Sequence, residues 1–357
     1  MKSLIAAFLT ITCLMSSINV TGGLLTDRPN GGIRQGLAMY CQPRDSIDVV
    51  MLGSSHVNYG INTAKIWEDY GISAYDYSSA EQAIWISYYY LREICKYQKP
   101  KVVVLDFFAP AAFLDGYADK YYYLQDAFCG FRYSMNKVEM VNTAVDGDEE
   151  LKKKYIYSYY SPENSDDLTA LKDGWGKDYS SFKGYTPSFK QAPVETPVPN
   201  TTDVKAPSEK SQKYLRKIID YTYKNGIQLY ITIVPYHLNV GQQEGVTQEE
   251  DLRYNWLENY LAGIKDEGID NIYFDYTFKH IGDLGIDYEG GTHFADGSSH
   301  LNYYGSTQFA KYLAEDLRNR YGAELLPDHR GDSAYSSWDV NVSELKEQVS
   351  SEGWEWR

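Results

Sequence analysis

Lys101-Val-Val-Val-Leu-Asp106 places four consecutive apolar residues between a lysine and an aspartate. A run without polar alternation suits a strand covered on both faces, which is the condition inside a parallel sheet. Asp48-Val-Val-Met-Leu52 has the same character. Between these runs the sequence predicts a helix from Asn62, a good N-cap, to Gly71, a good C′ residue. A short strand at Ile72–Tyr77 follows, then a helix after Ser79 with Ile84, Tyr88, Leu91 and Cys95 on one face, stopped before Pro100. Strand, helix, strand, helix, strand calls for parallel pairing with right-handed crossovers. The rhythm resumes with a helix over 209–225, a strand at Gln228–Val234 ended by Pro235, and a helix behind a Thr247/Glu250 capping box. A short strand at Asn271–Asp275 and a final helix from about Ser306, with Phe309, Leu313 and Leu317 inward, complete it. The expected fold is α/β, a three-layer α/β/α sandwich around a parallel sheet.

The rhythm breaks between Phe107 and about Pro207, a stretch rich in Tyr, Gly, Asp and Lys that ends in a Pro/Thr segment. It reads as an insertion of about 107–207, a lid or substrate platform, within a domain of 21–322. Residues from about Thr21 to Ser46 read as an exposed lead-in, and 323–357 as a C-terminal extension with exposed-looking Trp338, Trp354 and Trp356. At the start, Lys2 precedes an apolar run from Leu4 to Met15 and the small residues Ser16 and Ser17, so 1–20 read as a signal peptide or membrane anchor. The expected location is extracytoplasmic. Cys41, Cys95 and Cys129 fit one disulfide and one thiol, at no metal-binding spacing. A net charge of −15 argues against a nucleic-acid partner, since phosphate binding needs clustered Lys and Arg. The 35 tyrosines suit a sugar-rich surface or reflect compositional bias, and the bias is the simpler reading. Glu68-Asp69, Asp148–Glu150 and Glu249–Asp251 read as solvated faces, and no cofactor is implied.

Two stretches could carry chemistry. Gly53-Ser54-Ser55-His56 follows the first strand, so Ser55 lands at a carboxyl edge, where open α/β sheets bind ligands. Phe294-Ala-Asp-Gly-Ser-Ser-His-Leu-Asn302 precedes the last helix, and its small residues allow Asp296 and His300 to converge. A carboxylate fixes one imidazole tautomer, and the imidazole activates a serine hydroxyl that is otherwise a poor nucleophile. A metal set of His293, Asp296 and His300 is the competing use of the late loop, with further ligands unaccounted for.

These blocks resemble the SGNH (GDSL-like) hydrolase superfamily, in its exported branch related to the D-alanyl-lipoteichoic acid biosynthesis protein DltD and to polysaccharide O-acetylation proteins. Gly53-Ser54-Ser55 matches that family's Gly-Asp/Ser-Ser block, and Asp296 to Asn302 its late Asp-x-x-His-Leu-Asn block with one extra residue. The resemblance covers about 48–106 and 212–321. It implies a flavodoxin-like three-layer fold and acyl-ester chemistry. Ser55 is then the nucleophile, His300 the base and Asp296 its orienting acid. Beside that resemblance, Gly53, Ser54 and His56 adjoin the serine as oxyanion or substrate-lining candidates, His56 reading equally as a surface histidine, and Gln82 reads equally as an oxyanion amide donor or a helix-start polar residue. The implied partner is an acylated glycan or other envelope polymer. The family's glycine and asparagine blocks are missing: Ser78-Ser-Ala-Glu-Gln82 and Asp106 stand there instead. A catalytically inactive protein that binds glycan or assists a membrane-bound O-acyltransferase is therefore the alternative expectation.

Overall fold

The computed structural model describes residues 35–36, 38–108, 121–145, 147–157, 182–194, 201–237, 250–297 and 300–357. The segment expected to be a signal or anchor lies outside them, as does Thr247. The chain runs through β1 (Val49–Leu52), α1 (Ser55–Gly60), α2 (Thr63–Tyr70), β2 (Ala74–Asp76), α3 (Ile84–Ile94) and β3 (Val102–Asp106). Three helices of the 107–207 region follow: α4 (Tyr121–Cys129), α5 (Met135–Ala144) and α6 (Glu149–Tyr157). Then come α7 (Glu209–Lys224), β4 (Gln228–Thr232), α8 (Glu250–Asp266), β5 (Ile272–Asp275), α9 (Tyr303–Leu325) and α10 (Ser336–Ser351).

The five strands form one sheet in the order β2-β1-β3-β4-β5, every pair parallel. Successive strand residues point to opposite faces, and both faces are covered. Val50, Leu52, Val103, Leu105, Leu229 and Ile231 share a core with Trp85 and Leu91 of α3, Leu215 and Ile218 of α7, and Leu257 of α8. Val49, Met51, Val102, Val104 and Tyr230 pack with Ile66 of α2 and Phe309, Leu313 and Leu317 of α9. This is why the strand sequences show no alternation: each inward-facing residue has a helix above or below it. The order reverses between β1 and β3, so a crevice opens at their carboxyl ends, the usual ligand position in doubly wound sheets.

Several sequence expectations need correction or completion. Where it is described, the 107–207 region packs into the main body: Phe128, Met140 and Val141 lie in the same core as α3. Its segment 182–194 runs as an extended strap across the main body, with Thr186 N–H donating to the Asn58 carbonyl and Ala192 N–H to the Phe294 carbonyl. The lead-in is buried at Gln35, Ala38 and Met39, and Gln35 accepts the Ser78 N–H at 3.0 Å and its hydroxyl at 3.1 Å. The C-terminal extension forms α10, whose Trp338 is fully buried, donates to the Ala74 carbonyl at 3.3 Å and lies under the Lys183 ammonium. Trp67 of α2 donates to Asp339 of α10 at 2.9 Å. Glu250 and Asp251 are buried, because Glu250 accepts the Tyr236 hydroxyl at 2.9 Å.

Cys41, Cys95 and Cys129 form no disulfide. Many tyrosines are structural, with Tyr75, Tyr77, Tyr90, Tyr185, Tyr230, Tyr236, Tyr254 and Tyr303 fully buried. Among the described residues no helix is long and apolar enough to cross a membrane.

Candidate active site

β1 ends at Leu52, and the chain turns through Gly53 directly into α1. Ser54 caps that helix, its Oγ accepting the His56 N–H at 3.3 Å. Ser55 is thus the first helical residue, a position whose amide has no acceptor inside the helix. Glycine at 53 follows from close approach. A Cβ there would stand 2.7 Å from Val57 Cγ2 and 2.8 Å from Asp106 Cβ. The turn therefore seats against the end of β3 and holds Ser55, half-buried, at the sheet's carboxyl edge.

The partner side chains come from the far end of the chain. Residues 293–297 and 300–302 are the arms of an antiparallel hairpin: Phe294 bridges Leu301, Ala295 N–H donates to the His300 carbonyl at 2.8 Å, and Asn302 N–H to the His293 carbonyl at 3.0 Å. Asn302 locks its base. The side-chain amide donates to the carbonyls of Lys190, Thr292 and Phe294 at 3.0, 2.9 and 3.2 Å, and Oδ1 accepts the Gly305 N–H at 3.1 Å, capping α9. Asp296 and His300 occupy opposite arms. Asp296 Oδ2 lies 2.7 Å from His300 Nδ1, and Oδ1 accepts the His300 N–H at 3.2 Å.

His300 Nε2 is 2.9 Å from Ser55 Oγ, which joins residues 245 apart in sequence. A carboxylate at Nδ1 keeps the proton on that nitrogen and leaves Nε2 to accept the serine hydroxyl. The His300 and Asp296 side chains are 28% and 44% exposed, so a substrate can reach the dyad. Tyr59 of α1 meets the His300 ring edge-on at 5.0 Å.

His56 lies beneath this arrangement. Its ring is buried, stacks on Phe108 at 3.8 Å, meets Tyr236 edge-on at 5.2 Å and stands 5.5 Å from the His300 ring. Burial, and then the His300 charge, hold its pKa well below the ordinary value, so the imidazole is neutral. Neither ring nitrogen has a hydrogen bond of ordinary geometry, although the Val234 backbone lies near enough to raise its basicity a little. Asp106 also faces the turn. Its Oδ1 accepts the Val234 N–H at 3.1 Å, Oδ2 is buried without a partner, and burial pushes its pKa up to about 7.

Gln82 does not join the site's hydrogen bonds. Its Oε1 accepts the Ser79 hydroxyl at 2.9 Å and its amide donates to Ser87 at 3.0 Å, so both ends are committed to the start of α3. His293 turns to the backbone, its Nδ1 accepting the Asp287 N–H at 3.0 Å. Among the described residues no group of three His, Cys, Asp or Glu side chains could hold a metal ion. Asp275, a strand-end acid like Asp106, is a structural hub that accepts from Tyr230, Thr232 and Tyr312 and pairs with His280 at 2.7 Å. The sequence reading passed over Tyr59, Phe108 and Tyr236. Phe108 follows the end of β3 by two residues and Tyr236 the end of β4 by four, and that position was the available signal.

No protein-family model matches this chain, and no curated protein sequence matches it either.

Proposed function

We propose that this protein is a serine-dependent ester hydrolase or acyltransferase of SGNH type. The observation that carries the reading is the hydrogen-bonded series Ser55–His300–Asp296, at 2.9 and 2.7 Å, assembled at the carboxyl edge of a doubly wound sheet. Ser55 Oγ attacks an acyl carbonyl as its proton passes to His300 Nε2. Asp296 stabilises the resulting imidazolium, which then protonates the departing alkoxide. Water or a second hydroxyl, deprotonated by the same histidine, releases the acyl group. The Ser55 amide supplies one donor to the tetrahedral oxyanion. The acyl group belongs to a glycan or another envelope polymer on this reading, and the apolar stretch at 4–15 behind Lys2 supports action outside the cytoplasm.

The commitment of Gln82 to Ser79 and Ser87 favours a second reading, a protein of the same fold that binds its polymer, or assists a membrane-bound O-acyltransferase, without turnover. One missing oxyanion donor lowers kcat by about 10²–10³-fold. Labelling with a fluorophosphonate probe separates the two readings. The hydrolase reading expects the wild type to label and both Ser55→Ala and His300→Ala to stay unlabelled. Equal labelling of Ser55→Ala would refute it, and a folded wild type that neither labels nor cleaves p-nitrophenyl acetate would leave the binding protein.

A further inference from the structure

A second concavity lies beside the catalytic hairpin, with a volume of about 380 Å³, lined by Phe189, Gln191, Tyr304, Gly353 and Trp354. Three parts of the chain build it. The first is the strap. Ser188 accepts the Tyr303 N–H at 2.8 Å, and Ala192, the neighbour of Gln191, donates to Phe294 at 3.0 Å, two residues from Asp296. The second is the start of α9, where Tyr304 follows His300 by four residues. The third is the tail after α10. Glu355 N–H donates to the Tyr304 hydroxyl at 3.3 Å, Arg357 N–H to the Tyr303 hydroxyl at 3.2 Å, and the Trp356 indole to Glu68 at 3.1 Å. Trp354 is thereby pinned against Tyr304, centroids 4.5 Å apart, and edge-on to Phe189 at 5.6 Å.

The wall chemistry selects a ligand. Its exposed wall is more polar than apolar: the half-exposed rings of Phe189, Tyr304 and Trp354 carry a hydroxyl and an indole N–H at their edges, and Gln191 adds an exposed amide with donors and an acceptor. No carboxylate side chain lines the pocket; of the neighbouring charges, the Arg357 guanidinium is spent over the Tyr304 ring at 3.6 Å, and Lys190 and Glu355 flank lining residues without lining the pocket themselves. A lipid tail would want a wall without polar groups, and a peptide an unpaired strand edge or a charge. A neutral ligand with an apolar face and a rim of hydroxyls satisfies rings and amide together. The volume lies in the range of small-ligand sites.

We propose that this pocket is a sugar-binding subsite, holding a neutral pyranose unit of the polymer whose ester is presented to Ser55. The proposal rests on the ester reading for its purpose but not for its test. The strap that walls the pocket is bonded through Ala192 to Phe294, in the segment that carries Asp296 and His300, so a polymer held there is directed toward Ser55.

Calorimetric titration of the full chain carrying Ser55→Ala with xylotetraose, cellotetraose and N,N′,N″,N‴-tetraacetylchitotetraose tests it. At least one of the three is expected to bind. Trp354→Ala should weaken that binding at least tenfold, Gln191→Ala should weaken it less, and Trp354→Phe should retain most of it. Gln191 is exposed, and Trp354→Phe keeps a ring in place, so these two variants report even if Trp354→Ala unfolds. Binding of none of the three, or binding indifferent to all these substitutions, overturns the subsite. Fluorophosphonate labelling of the same pocket variants on the Ser55 background should match wild type. Loss of sugar binding with labelling intact removes the subsite alone, and absence of labelling with binding intact removes the esterase alone.

Discussion

Asp106→Asn tests the electrostatics beneath the Gly53–Ser55 turn. The Asp106 side chain is buried at the end of β3, with Oδ1 on the Val234 amide and Oδ2 unpartnered. Burial raises its pKa to about 7, against about 3.9 in an unfolded chain. Between these values the folded protein keeps a proton that the unfolded chain has released. Stability from this group is therefore full below about pH 3.9, falls as the pH rises, and is lost above about 7. The separation is roughly three units, and at 1.36 kcal/mol per unit the ceiling is about 4 kcal/mol. Relaxation of the site around the ionised carboxylate returns part of this, so about 2–4 kcal/mol is expected. Asparagine accepts the same Val234 N–H without ionising, and its own amide cost is independent of pH. Urea unfolding of both proteins at about pH 4.5 and about pH 8 isolates the effect, because every other titrating group cancels in the double difference. The variant should gain about 2 kcal/mol or more over wild type at the higher pH relative to the lower. A double difference below about 0.5 kcal/mol would mean that the carboxyl is solvated or paired, and the reasoning would fail.

Asp296→Ala should slow ester hydrolysis by about 10³–10⁴-fold, the scale set by losing the group that orients a catalytic histidine. Its melting temperature should stay within a few degrees of wild type, because the side chain is 44% exposed; a rate loss under tenfold would remove Asp296 from the series. Asn302→Ala loses a helix cap and strands three carbonyls, with an expected cost of about 2–4 kcal/mol by urea unfolding. Asn302→Asp keeps the cap but not the amide donors and should fall between the two, and equal stability of all three proteins would contradict the role assigned to this residue.

Much of the sheet was legible because parallel strands declare themselves without context. Val49–Leu52 and Val102–Asp106 fall where the apolar runs place them, and Asn62 and Gly71 flank α2 as cap residues should. Ser55, His300 and Asp296 were legible as residue types at strand and helix edges, and the structure adds the distances. The final helix begins three residues before the expected Ser306, because Asn302 sets its cap. What the sequence concealed depended on tertiary partners. Trp338 looks exposed until α2 is placed against it, and Glu250 looks like a surface charge until Tyr236 reaches it. Gln82 shows the same limit. An amide at a helix start could face a cleft or its own backbone neighbourhood, and only the positions of Ser79 and Ser87 decide between them.

The 245-residue gap between Ser55 and His300 also orders events in time. Synthesis delivers the serine, its turn and the first strands early, while the hairpin with the histidine and acid comes after every strand of the sheet. Until then the serine hydroxyl has no base beside it and is as inert as any surface serine. Contacts this distant in sequence are also slow to form. On the hydrolase reading, a nascent chain is harmless to every ester it passes. Reactivity begins only where the chain completes its fold, so the place of folding sets the place of action.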